Sequence, residues 1–112
     1  MKHRKFLVSF ELVILLSISS LKDQASHKNI KNKIESYGYS KVGIGALYTS
    51  LSRLHTRGYI HPHMNPPKPV SGGRRSWTYF ITEQGEKILT QSMSLLNVMC
   101  KEFKDQVEEE NL

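Results

Sequence analysis

Residues 45–60 read GALYTSLSRLHTRGYI, and this stretch carries more structural information than any other in the chain. Leu47, Leu51 and Leu54 recur at three- and four-residue spacing, which places Leu51 and Leu54 within ~40° of Leu47 on a helix turning ~100° per residue. The spacing predicts a helix over about 43–57 with an apolar stripe turned to a core. Gly58 ends it, free to adopt the left-handed backbone that a helix stop often uses. The face opposite the leucines carries Gly45, Thr49, Ser52, Arg53 and Thr56, flanked by Ala46 and Tyr48. Small, hydrogen-bonding and cationic side chains make a face thin enough to enter a major groove and equipped to pair with phosphates and base edges. A polar helix face is by default merely solvated, so the flanking sequence has to decide.

Downstream, Tyr59–Met64 reads as a strand with Tyr59, His61 and His63 on one side and Ile60, Pro62 and Met64 on the other. Pro62 lacks an N–H, which suits an edge position. The segment 65–76, NPPKPVSGGRRS, is too proline-rich for a tight turn and reads as a protruding loop, stiffened by Pro66, Pro67 and Pro69 and pliable at Gly72-Gly73. Trp77, Tyr79 and Ile81 alternate with Thr78 and Phe80 on a return strand, so both faces are partly covered. Arg74 and Arg75 stand where a hairpin wing reaches backbone phosphates or a narrow minor groove. The alternative is an ordinary exposed loop carrying two arginines.

Thr82 is placed to cap a last helix, with Glu83 in its favourable first turn. That helix runs over about 83–108, and its apolar line 88–92–95–99–103 is interrupted only by Ser92. A helix of this length outruns so small a core. Ile88, Leu95, Leu96, Met99 and Phe103 are therefore candidates for a dimer interface, unless the helix folds back as core.

Upstream, a first helix over about 6–19 is expected, with Ser19-Ser20 helping to end it. Phe6, Phe10, Val13, Ile14 and Leu21 sit close to a single helical face. Asp23 or Ser26 can cap a second helix in which Ile30 and Ile34 form a narrow apolar stripe. A turn follows at Tyr37-Gly38-Tyr39-Ser40, and Ser40 is a candidate cap for the third helix. The N-terminal MKHRKFLVSFELVILLSIS has the basic start and apolar run of a leader, yet Glu11 interrupts it and no small-x-small cleavage site follows. Its uninterrupted apolar stretch, Leu12–Leu16, is far short of the ~20 residues that span a bilayer. A buried or amphipathic helix explains it better than a membrane tether.

The 112 residues fit one domain, and their 38% hydrophobic content suits a globular chain. Thirteen Lys/Arg against three acids give residues 1–81 a charge of +10, whereas three Lys against seven acids give residues 82–112 a charge of −4. A basic body points to a polyanionic partner. Cys100 is the only cysteine, which fits a reducing cytoplasm, and its place in the last helix's apolar sector suggests a core or interface residue. The five histidines lack cysteine or carboxylate partners at ligand spacing, although His61 and His63 share a strand face. The glycines match no phosphate loop. No catalytic constellation, metal site or cofactor is expected.

The order of elements resembles the PadR-like family of winged-helix transcriptional regulators. The resemblance rests on GALYTSLSRL (45–54), RGYI (57–60), the GGRR wing (72–75), the aromatic return strand and TEQGEKIL (82–89), with Phe10 through Ile18 similar to the family's first helix. It spans most of residues 10–90. Ala46 and Thr49 depart from the family's Gly-Thr-Leu-Tyr segment and the proline often following it, and Ala25-Ser26-His27-Lys28 replaces its Leu-His-Gly-Tyr. The resemblance implies a homodimeric repressor whose last helices cross at the interface; family members respond to small phenolic or drug-like ligands, and no residue here specifies one.

The expected architecture is α+β and mostly helical: a winged helix-turn-helix body (1–82) with a two-stranded hairpin wing, followed by a long C-terminal dimerisation helix with an acidic end (83–112), in one structural unit. The expected partner is double-stranded DNA carrying a pseudo-palindromic operator. Thr49, Ser52 and Arg53 would read or position, Tyr48 would hold a phosphate, Lys28 and Lys41 would meet flanking backbone, and Arg74 and Arg75 would serve the wing. A winged-helix module that docks proteins without DNA, and a membrane-tethered small protein, are the competing readings.

Overall fold

The computed structural model describes residues 9–66 and 76–111. Its elements are α1 (Phe10–Leu21), a 3₁₀ turn (Lys22–Gln24), α2 (His27–Ser36), α3 (Ile44–Thr56), β1 (Ile60–Asn65), β2 (Ser76–Ile81) and α4 (Glu83–Glu110). Phe6, Gly72, Gly73, Arg74 and Arg75, all singled out above, lie outside the described residues.

Helix α1 begins later and ends later than its sequence pattern suggests. Ser19-Ser20 do not stop it; it stops at Lys22, whose φ of 53° breaks the helical path while its N–H still bonds Ile18 O. The buried face is Ile14, Leu15, Ser17 and Ile18, with Phe10, Val13 and Leu21 only partly covered. The series read from the sequence was offset because α1 is apolar around most of its circumference. Its neighbours α2, α3, β2 and α4 decide which side is innermost.

Ser26, not Asp23, caps α2: its hydroxyl accepts from Asn29 N at 3.1 Å, while Asp23 is spent in the 3₁₀ turn. Ile30 and Ile34 are fully buried. Gly38 takes φ 88° in the following turn. Ser40 does not cap α3. The N-cap is Gly43, which offers no side chain, and the segment before it is held by Glu35 Oε2 accepting from Val42 N at 2.8 Å. The linker thus spends three further residues before α3 begins, anchored on α2 rather than by its own serine. Leu47, Leu51 and Leu54 fill the core as their spacing predicts, with Ile60 and Tyr79 closing it from the strands.

β1 and β2 pair antiparallel, with Ile60 opposite Ile81, Pro62 opposite Tyr79 and Met64 opposite Trp77. β1 is the edge. The other side of β2 takes a bridge from Ser26 to Thr78, and Tyr79 N bonds Ala25 O at 2.9 Å. Because the Tyr79 N–H turns away from β1, Pro62 occupies a non-hydrogen-bonded pair, and its missing N–H costs the ladder nothing. The bridge at Ala25-Ser26 gives the hairpin a minimal third strand. That strand is one bridge long, too short for any periodicity to reveal.

Helix α4 spans 28 residues, about 42 Å at 1.5 Å per residue. Its first turns are docked on the body. Thr82 Oγ1 accepts from Gly85 N at 3.0 Å and donates to Gly58 O, and Thr82 N bonds Tyr59 O at 3.0 Å. Gly85 is buried there, pressed against the Tyr59 carbonyl. The RGYI and TEQGE segments, 24 residues apart between Gly58 and Thr82, therefore meet in one joint.

Candidate nucleic-acid interface

The leucine face of α3 is consumed by the core, so its opposite face is presented outward. Gly45, Ala46, Tyr48, Thr49, Ser52, Arg53, His55 and Thr56 are all exposed along it. Arg53 makes no ion pair among the described residues, whereas Arg57, one turn on, is tied to Glu11 (Nη1–Oε2, 2.8 Å) and braces α3 against α1. Lys28 and Lys41 are exposed as well, on the first turn of α2 and in the linker entering α3. Of the eight residues proposed for DNA contact, the six described ones are all exposed, four of them on α3. Arg74 and Arg75 lie outside the described residues.

The start of α3 is bare. Gly43 and Gly45 both have ordinary negative φ, and a β-carbon on either would meet nothing within 4 Å. Nothing among the described residues requires glycine at these two positions; Gly43 is tolerated as the N-cap, while Gly45 in the first turn weakens the helix by up to ~1 kcal/mol. The free N–H groups and positive end of the helix dipole are open to an anion.

Tyr48 is more constrained than its sequence position implied. Its ring stacks on His27 with centroids 4.0 Å apart and planes 19° from parallel. His27 is the first residue of α2, and its Nε2 is buried with no hydrogen-bond partner among the described residues. Burial pushes the His27 pKa down, and Lys31 adds to the effect. Burial pushes the Tyr79 phenol up, with Tyr48 contributing. His27 and Tyr48 thus stack where α2 meets α3, a contact the sequence signalled only through a histidine following a capping serine.

On the far side of the molecule, α4 leaves the body. Ile88 and Leu89 pack against the chain's own core, Leu96 is half-buried, and Leu95, Met99 and Phe103 are exposed. Cys100 is exposed too, so it is not a core residue of this chain. Leu12 and Leu15 of α1 face Leu95, Leu96 and Met99 across an open groove of about 510 Å³. Among the described residues no helix is long and apolar enough to cross a membrane, and no cluster of three metal-ligating side chains occurs.

The profile of the transcriptional regulator PadR-like family matches residues 17–91. Curated protein sequences give no significant match. Among solved structures, a PadR family transcription regulator from Clostridium difficile is 21% identical over 86% of this chain and 97% of its own, with a TM-score of 0.67. A PadR family transcriptional regulator from Eggerthella lenta is 19% identical over 86% and 81%, TM-score 0.68. A protein from Streptococcus mutans is 23% identical over 94% of both chains, TM-score 0.71. At these identities the structures establish the fold, a winged helix with a long C-terminal helix. The profile spans more than half of the sequence and covers the joint between RGYI and TEQGE as well as all of α3. The chain belongs to the PadR-like family of transcriptional regulators.

Proposed function

We infer that this protein is a dimeric, sequence-specific binder of double-stranded DNA that acts as a repressor. The observation that carries the reading is the outward face of α3: glycine, threonine, serine and an arginine with no ion pair among the described residues, on a helix whose other side is locked by Leu47, Leu51 and Leu54. Thr49, Ser52 and Arg53 read or position in the major groove, and Lys28 and Lys41 meet flanking phosphates. Tyr48, braced by His27, presents its hydroxyl to the backbone, and Arg74 and Arg75 extend the contact from the wing. The functional division falls at Thr82, with a DNA-reading body before it and a dimerising helix after it. Two copies joined through Leu95, Leu96, Met99 and Phe103, with Ile88 at the inner margin, present two α3 helices to a pseudo-palindromic operator whose half-sites lie about one or two turns apart.

Selection of bound duplexes from a random pool at two salt concentrations tests the reading. Neutralising some six phosphates per dimer gives a log–log salt slope on the order of −5. A flat salt dependence, with no enriched sequence, overturns it.

A further inference from the structure

The outward face of α3 has two flanks, and one of them has a wall beside it. Tyr48, Ser52 and His55 lie on the flank next to the hairpin, and between them and Pro62, Trp77 and Tyr79 runs an open cleft of about 240 Å³. Trp77 is the only tryptophan in the chain and is 44% exposed at its wall. It shares the inner face of β2 with buried Tyr79 but sits two pairs further out, opposite Met64, beyond the reach of the core. Ser52 and His55 make no side-chain hydrogen bond among the described residues, so both keep their donors for the cleft.

A helix with its side chains is about 10–12 Å across and the major groove about 12 Å wide, so an inserted helix is pressed on both flanks by the two strands that border the groove. The strand on the hairpin side then has nowhere to run except between α3 and the hairpin. We propose that this cleft seats one sugar–phosphate strand of the bound duplex, with Trp77 packed against deoxyribose and Ser52 and His55 donating to a phosphate. Trp77 is thereby a DNA-positioning residue. The inference rests on the DNA-binding reading above and adds to it a strand assignment: Arg53, on the other flank, meets the opposite strand. The chemistry of the two walls favours this occupant, since a deoxyribose offers the apolar surface an indole covers and the adjoining phosphate takes the free hydroxyl and imidazole donors.

The test uses the full chain and a mixed-sequence duplex of about three helical turns at low salt. In the unsubstituted protein, saturation with this duplex shifts Trp77 emission and shields it from acrylamide quenching. Trp77→Ala weakens binding about tenfold, the equivalent of one lost aromatic contact, and leaves the salt slope unchanged. Trp77→Phe restores most of the affinity. Arg53→Ala instead lowers the slope by about one. If the duplex binds with that slope while Trp77 emission and quenching stay as in the free protein, the cleft is empty and the proposal fails, with DNA binding intact. If no duplex binds at any salt concentration, both readings fail together.

Discussion

The α-carbon of Gly85 rests against the backbone carbonyl of Tyr59, so that a β-carbon at position 85 would overlap that oxygen and stand 2.8 Å from Ile81 Cγ2. Helix propensity alone favours Gly85→Ala by about 1 kcal/mol. The contact reverses the sign, because backbone rather than a flexible side chain must give way. Gly85→Ala is expected to destabilise the protein by about 2 kcal/mol or more, read as a lower denaturant midpoint. A neutral or stabilised variant would show that α4 is not docked this way.

Thr82 holds the same joint from the other side, accepting from Gly85 N and donating to Gly58 O. Thr82→Ala removes an N-cap and leaves the Gly58 carbonyl without its hydroxyl donor. The expected loss is about 1–2 kcal/mol, and Thr82→Ser should recover most of it because the cap needs only the hydroxyl. An alanine variant as stable as its parent would assign the anchoring of α4 to packing instead.

The opposite sign is expected at Gly45. A β-carbon there meets nothing within 4 Å, so Gly45→Ala should stabilise α3 by about 0.5–1 kcal/mol and raise the melting temperature. If the bare helix start lies against DNA backbone, the same substitution weakens duplex binding. Stability and affinity then move in opposite directions in one variant. Tighter or unchanged binding alongside the gain in stability would remove the helix start from the interface.

These glycines mark how far the sequence could be read. The leucine spacing in α3, the Thr82 cap and the edge character of β1 were all legible, because each follows from a local rule: helical period, hydroxyl before an acidic turn, proline without a donor. Ser40 misled because a capping serine is a local signal, and the Glu35–Val42 bond that overrides it is not local. The buried face of α1 could not be assigned from a helix apolar on most sides. The His27–Tyr48 stack and the Trp77 cleft depend on how α2, α3 and the hairpin are brought together, and no period along the chain encodes that. Gly45 and Gly85 look alike in sequence, each a glycine in a first helical turn, yet one faces open space and the other a carbonyl.

The depressed pKa of His27 predicts a pH dependence of stability. Unfolding restores the ordinary value of about 6.5, so below that pH the unfolded chain binds more protons than the folded one. Stability is therefore full above about pH 6.5 and declines as pH falls toward the lower folded value. Among the described residues the groups facing the imidazole are the Tyr48 ring from α3 and Lys31 from its own helix, and neither carries a negative charge to pair with the incoming one. His27→Gln should flatten the denaturant midpoint between pH 7 and pH 5 relative to the parent. An equally steep decline in the variant would place the titrating group elsewhere.

The exposed apolar stripe of α4 predicts the assembly. Phe103 is 65% exposed and contributes little to its own chain, so Phe103→Glu should leave the unfolding of an isolated chain almost unchanged. At a two-fold interface the same residue is used by both copies, and burying each phenyl ring stabilises the dimer by about 1.5–3 kcal/mol. Two glutamates introduced there lose that burial and add repulsion between like charges. The parent is expected to sediment as a dimer and the variant as a monomer at micromolar concentration, with the variant's affinity for a two-half-site duplex falling far more than for a single half-site. A variant that still sediments as a dimer would show that copies meet through another face, and the Leu12–Leu15 side of the α1–α4 groove would be the next to substitute.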